Sequence, residues 1–137
     1  MYDYMIATEA EGVAGLVNVY AVGTVTNTSD RVEPQGLALR PYSNYRVSAS
    51  GKEYGDGFPF TVWTFGVIKQ GQLDGLLAYL DGAQSANVYI KTRKDDRTYG
   101  TYKAIMHRPK IEEGEITPAY SGNWHNVTIR FTMLEAQ

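Results

Sequence analysis

Asn126-Val127-Thr128-Ile129-Arg130-Phe131-Thr132-Met133 is the segment whose pattern decides the fold class. Val127, Ile129, Phe131 and Met133 alternate with Asn126, Thr128, Arg130 and Thr132. Successive side chains leave a pleated backbone on opposite faces, so strict alternation predicts a strand with one core face and one polar face. A strand this regular is expected to lie inside a sheet.

Before it, residues 110–122 carry Glu112, Glu113, Glu115, Pro118, Ser121 and Gly122 and predict a long exposed loop. Further back, Asn87 to Arg93 and Thr98 to Met106 predict a hairpin across the polar turn Lys94-Asp95-Asp96-Arg97. Tyr99, Thr101, Lys103 and Ile105 should face one way and Tyr102, Ala104 and Met106 the other, with Pro109 ending the strand. Between 70 and 81 the period changes. Leu73, Leu76, Leu77 and Leu80 recur at i, i+3, i+4 and i+7, the stripe of a short helix, with Gln72, Asp74 and Asp81 off the stripe and Gly82 placed to close it. Gly71 and Gly75 weaken such a helix, so it must be docked to persist.

Phe58 to Ile68 predicts the most apolar strand, and Pro59 confines its start to an edge or a strand beginning. Phe58, Phe60 and Val62 share one face, while Thr61, Trp63 and Phe65 share the other. Apolar residues on both faces imply burial on both sides, inside the fold or at a partner. Tyr54-Gly55-Asp56-Gly57 reads as a turn, and Leu37-Ala38-Leu39 and Tyr45-Arg46-Val47 as short strand pieces separated by Pro41 and Ser43-Asn44. Leu16 to Val25 alternates like a strand, with Val17, Val19, Ala21 and Val25 on one face, until Asn27-Thr28-Ser29-Asp30 breaks it. Residues 1–14 show no period and are expected to form an N-terminal arm ahead of a single domain over 15–137. The expected fold is mainly β: a β-sandwich or partly closed barrel with one short α-helix packed on it. No βαβ pattern predicts a doubly wound sheet.

A chain of 137 residues should bury about two-thirds of its unfolded surface, enough for a core without metal or disulfide, and it has no cysteine. Thirteen basic against fifteen acidic residues give net charge −2, which disfavours tight nucleic-acid binding unless a basic patch is segregated. Lys91, Arg93, Lys94 and Arg97 cluster, but Asp95 and Asp96 sit among them. No signal-peptide pattern and no apolar run of about 20 residues are present, so the protein is expected to be made in the cytosol, with no membrane partner. Eleven tyrosines and fourteen glycines favour strands and turns, and tyrosine is common where one protein covers another.

Catalytic chemistry finds little support. His107 and His125 have no second histidine or carboxylate at a ligand spacing. Ser121-Gly122 lacks the flanking pattern of a nucleophilic serine. Gly55-Asp56-Gly57 is followed by Pro59 and Phe60 in place of a helix start. Asp95-Asp96 and Glu112-Glu113 are neighbours that point apart in extended chain, and Asn126-Val127-Thr128 matters as a glycosylation acceptor only in a secreted protein. No catalytic, cofactor-binding or metal residue is assigned, and no cofactor is expected. Phe58, Phe60, Trp63 and Phe65 would serve either as sugar-stacking aromatics or, by their alternation, as core and a subunit contact.

Several of these segments together resemble small structural tail proteins of long-tailed bacteriophages. They are residues 57–65, the helix from Gln72 to Leu80, Val88-Tyr89-Ile90-Lys91-Thr92-Arg93, Tyr99-x-x-Tyr102-x-Ala104-x-Met106-x-x-Pro109, and Val127-x-Ile129-x-Phe131-x-x-Leu134. In order and spacing the resemblance covers about residues 45–134. It implies a helix-flanked β-sandwich that assembles with itself into rings, hexameric by the family's habit, forming or capping a tube through which DNA passes as cargo. It implies neighbouring tail proteins as further partners, a location in the virion tail after assembly in the host cytoplasm, and no catalytic residue. Residues 1–14, 26–57 and 110–122 would make the contacts between rings. A carbohydrate-binding β-module is the alternative, and a small β-barrel enzyme has the weakest support.

Overall fold

Alternation becomes structure in nine strands among the described residues of a computed structural model, which are 4–23, 31–34, 39–41, 44–94, 97–110, 113–118 and 123–137. They are β1 (Met5–Thr8), β2 (Val17–Asn18), β3 (Asn44–Val47), β4 (Glu53–Asp56), β5 (Phe60–Lys69), β6 (Ser85–Arg93), β7 (Tyr99–His107), β8 (Thr117–Pro118) and β9 (Asn123–Ala136), with helix α1 (Gln70–Leu77) between β5 and β6. Seven of them form one antiparallel sheet in the order β2-β1-β6-β7-β9-β5, with β8 also on β9, and β3 pairs with β4. The sheet is not closed, and the fold is mainly β with a single short helix, as a helix-bearing β-sandwich requires.

The C-terminal strand is interior, as its pattern demands: β5 pairs along one side and β7 and β8 share the other. Val127, Ile129 and Phe131 are fully buried beside Phe65, Trp63 and Thr61 of β5. Met133 departs from the expectation. It is 55% exposed, its φ is +56°, and Leu134 takes its place in the core. The β7–β9 register shifts by one residue there, so a bulge inserts an extra position and reverses the alternation.

β6 and β7 form the expected hairpin, with Val88, Ile90, Ala104 and Met106 in the core; Asp95 and Asp96 of its turn lie outside the described residues. The helix also forms where the leucine stripe predicts, as α1 followed by a 3₁₀ turn over Ala78–Leu80. Asp81 and Gly82 both take positive φ and end it. Leu73, Leu76 and Leu80 are buried, but so is Gln72, which the stripe leaves outside.

The N-terminal third corrects the sequence reading most. Met5–Thr8 belongs to no arm: it is a strand between β2 and β6, with Ile6 and Ala7 fully buried. Four residues are too few for a period to show. From Leu16 to Gly23, the described part of the next expected strand, only Val17–Asn18 is extended in the sheet. After two residues of β2 the chain enters a 3₁₀ turn over Val19–Ala21, and the buried valines are Val19 and Val22, three apart. Valines spaced at two also satisfy a spacing of three, and packing selected the latter. Val25, the turn at 27–30 and Leu37-Ala38 lie outside the described residues.

Tyr54-Gly55-Asp56 is strand rather than turn. The reversal sits at Ser48–Gly51, where Gly51 takes φ +86° and its N–H bonds to the Ser48 carbonyl at 2.9 Å. The expected loop after Pro109 is also partly anchored: Ile116 is buried and Thr117–Pro118 pairs with His125 and Trp124 of β9.

Candidate interaction surfaces

The sheet has a core face, covered by α1 and the 3₁₀ turns, and an outer face. Trp63 and Phe65 point into the core and are each 1% exposed. The Trp63 indole N–H donates to the Thr92 hydroxyl at 3.0 Å, and its ring lies 4.5 Å from Phe131 and meets the edge of Tyr4 at 5.6 Å. Neither ring is available to stack on a ligand. Phe58, Phe60 and Val62 instead line a cleft of about 220 Å³ on the outer face, with Arg130 and Thr132 of β9. Within this chain the core side of β5 is sealed, while its outer side is half-buried to exposed.

His107 and His125 are not brought together. His107 lies opposite Arg130 on the outer face, whereas His125 lies five positions earlier on β9, roughly 17 Å away at strand rise. The His107 ring nitrogen Nε2 meets the Thr132 hydroxyl at 2.8 Å. Burial, then the positive charges of Arg130 and Lys110, push its pKa below the usual value, against a smaller opposing pull from Glu115. Glu115 is occupied structurally. Its Oε2 pairs with Arg130 at 2.9 Å, and its Oε1 accepts the Lys110 N–H at 3.1 Å. Among the described residues no group of three or more His, Asp or Glu side chains is placed to hold a metal. Glu112, Ser121 and Gly122 lie outside those residues, and Glu113 is exposed.

A second depression of about 320 Å³ lies where β1, β2 and the helix meet, lined by Thr8, Glu11, Val17, Val22 and Tyr79 among others. Its carboxylate is also part of a local motif. The Thr8 N–H and hydroxyl both bond to Glu11 Oε1, while the Glu11 N–H returns to the Thr8 hydroxyl. This is the reciprocal geometry that Thr-x-x-Glu makes at helix starts. The spacing is legible in residues 8–11, but the surrounding Ala and Gly obscure it. Burial, then Glu11, raise the Tyr79 pKa.

The third surface is the β3–β4 hairpin. The isolated bridge between Arg40 and Phe60 has the same register as the β3–β4 ladder, so the hairpin runs outward from the start of β5. On this hairpin Arg46 and Glu53 are exposed, and Val47 is 70% exposed. No protein-family model matches this chain, and neither does any curated protein or solved structure.

Proposed function

We propose that the protein is a structural subunit of a bacteriophage tail, closing hexameric rings with copies of itself that form or cap the DNA-conducting tube. The observation that carries this proposal is the projecting β3–β4 hairpin. It continues the register of the Arg40–Phe60 bridge away from β5, and a valine near its tip is largely exposed. An isolated two-stranded hairpin is marginal in water, so a partner that covers it would stabilise it. The hairpin falls within the segment 26–57 that the resemblance assigns to contacts between rings. Net charge −2 suits a conduit through which DNA slides without binding. A carbohydrate-binding module is less well supported, because Trp63 and Phe65 are enclosed in the core and leave Phe58 and Phe60 as the remaining platform.

Negative-stain imaging and sedimentation of the purified chain, alone and with tail components, test the assignment. The full chain should form rings or dock on tail proteins. A variant with residues 45–55 replaced by a short Gly-containing turn should keep its melting transition and lose stacking or docking. A full chain that stays monomeric in every condition and occurs in no virion ends the tail assignment.

A further inference from the structure

We infer that the tip of the β3–β4 hairpin of one copy docks into the cleft where β1, β2 and the helix of a second copy meet. The inference rests on the reading of the hairpin as an assembly surface and names the surface that receives it. The cleft, of about 320 Å³, is walled by Val17, Val22, Gly75, Ala78 and the Tyr79 ring, with the exposed Glu11 beside them. Val17 is 44% exposed, and Val13, in the 3₁₀ turn before it, 45%. Thr8 holds Glu11 Oε1 by two hydrogen bonds, which fixes the carboxylate in place, and Oε2 has no partner among the described residues.

A cation is what the cleft lacks. Residues 1–30 and 70–90 contain no lysine, arginine or histidine, but they carry Asp3, Glu9, Glu11, Asp30, Asp74 and Asp81. The segments that build the cleft, and residues 24–30 that follow Gly23 in the chain, therefore bring it no side-chain cation. Among the described residues nothing positive pairs with Glu11. Burial, then Glu11, raise the Tyr79 pKa with no positive charge opposing them. The hairpin tip supplies both missing parts. Val47 is 70% exposed, and Ala49, Ser50, Gly51 and Lys52 are exposed with it. Arg46 and Lys52 make the stretch 46–52 basic, and the Lys52 side chain has no partner among the described residues. Val47 suits the apolar wall and Lys52 the carboxylate. An exposed ion pair adds little affinity, so burial of Val47 carries the contact and Lys52 orients it.

Hairpin and cleft belong to opposite ends of the sheet. The hairpin continues from the outer side of β5, and β2 lies five inter-strand spacings away, roughly 24 Å. The contact therefore joins two copies. It is heterologous and propagates from copy to copy, closing a ring or stacking ring on ring according to the rotation it imposes.

Mixing two variants of the full chain tests this. Val47→Asp removes the apolar tip, and Ala78→Arg fills the cleft with a side chain that also repels Lys52. Both positions are exposed, so each chain should keep the wild-type melt. Each alone should sediment as a monomer where the wild type assembles. An equimolar mixture should sediment as a dimer and grow no further, because one intact tip meets one intact cleft. Glu11→Gln and Lys52→Gln should each weaken wild-type association roughly two- to five-fold. If Ala78→Arg fails to fold, Glu11→Lys takes its place in the mixture. A mixture that stays monomeric, or a folded Ala78→Arg chain that assembles like wild type, overturns the inference. Rings or tubes built by that chain would leave the tail assignment standing without this contact. A mixed dimer, from a protein that docks on no tail component and occurs in no virion, would keep the contact and end the tail assignment.

Discussion

Gln72 sits on a helix whose other buried positions are leucines, yet its amide reaches two separate backbone segments. Its Nε2 donates to the carbonyls of Val32 at 2.7 Å and Val19 at 3.2 Å, and its Oε1 accepts the Val32 N–H at 3.0 Å. A fully buried amide satisfied in this way ties residues 19 and 32 to α1. Gln72→Leu keeps the volume but leaves those groups without their partner, and should cost about 1–3 kcal/mol in urea unfolding. A leucine variant as stable as wild type would mean that water serves those groups. His107 gives a pH dependence whose sign follows from its surroundings. Its folded pKa lies below the usual 6.5, so the unfolded chain binds the proton more readily. Its contribution to stability is present above about pH 6.5 and is lost as pH falls from there through the folded value. Thermal melts at about pH 7.5 and 5.5 should show a smaller acid loss for His107→Gln than for wild type; equal losses would remove His107 as the cause.

At the scale of elements, α1 shows how packing can reverse a propensity. Alanine is favoured over glycine inside a helix by up to about 1 kcal/mol. A Cβ at Gly75, however, would lie 2.5 Å from Gly23 Cα and 2.6 Å from its nitrogen, a backbone contact that cannot swing away. Gly75→Ala should therefore destabilise by about 1–3 kcal/mol, whereas Gly66→Ala, which meets nothing within 4 Å, should be close to neutral. Denaturant midpoints of the pair check this, and a stabilised Gly75→Ala would show that the helix can move away from Gly23. The β9 bulge belongs to the same scale. Alternation correctly placed Val127, Ile129 and Phe131 in the core, but nothing in Thr132-Met133-Leu134 announces the extra residue, which shows only in the register of β9 against β7.

For the whole molecule, the N-terminal segment decides how far the domain extends. Ile6 packs in the core cluster and β1 bridges β2 and β6, so removing residues 2–12 should take a strand from the sheet rather than trim an appendage. The truncated chain should lose its cooperative melt or have it shifted far down, as circular dichroism would register. An unchanged melt would restore the arm expected from sequence. Replacing the β3–β4 hairpin should do the opposite, sparing the fold and affecting assembly. The two changes together separate surface that folds the chain from surface that joins it to partners.

Residue pattern by itself determined the elements whose period runs long enough to be heard: the C-terminal strand, the β6–β7 hairpin, the apolar β5 and the leucine-striped helix. In each, burial of one face is the dominant free-energy term, and that term is written directly in the order of apolar residues. The mainly-β class with one helix follows from them. Tertiary structure alone decided the rest. Four residues at β1 are too short to carry a period, and Val19 and Val22 fit two periods until a core chose one. Gln72 looks polar until the backbone groups it serves surround it, and Phe60 and Trp63 differ in which face of one strand the core covers. The candidate surfaces were least legible, because an outer sheet face and a projecting hairpin are set by how distant segments pair and pack.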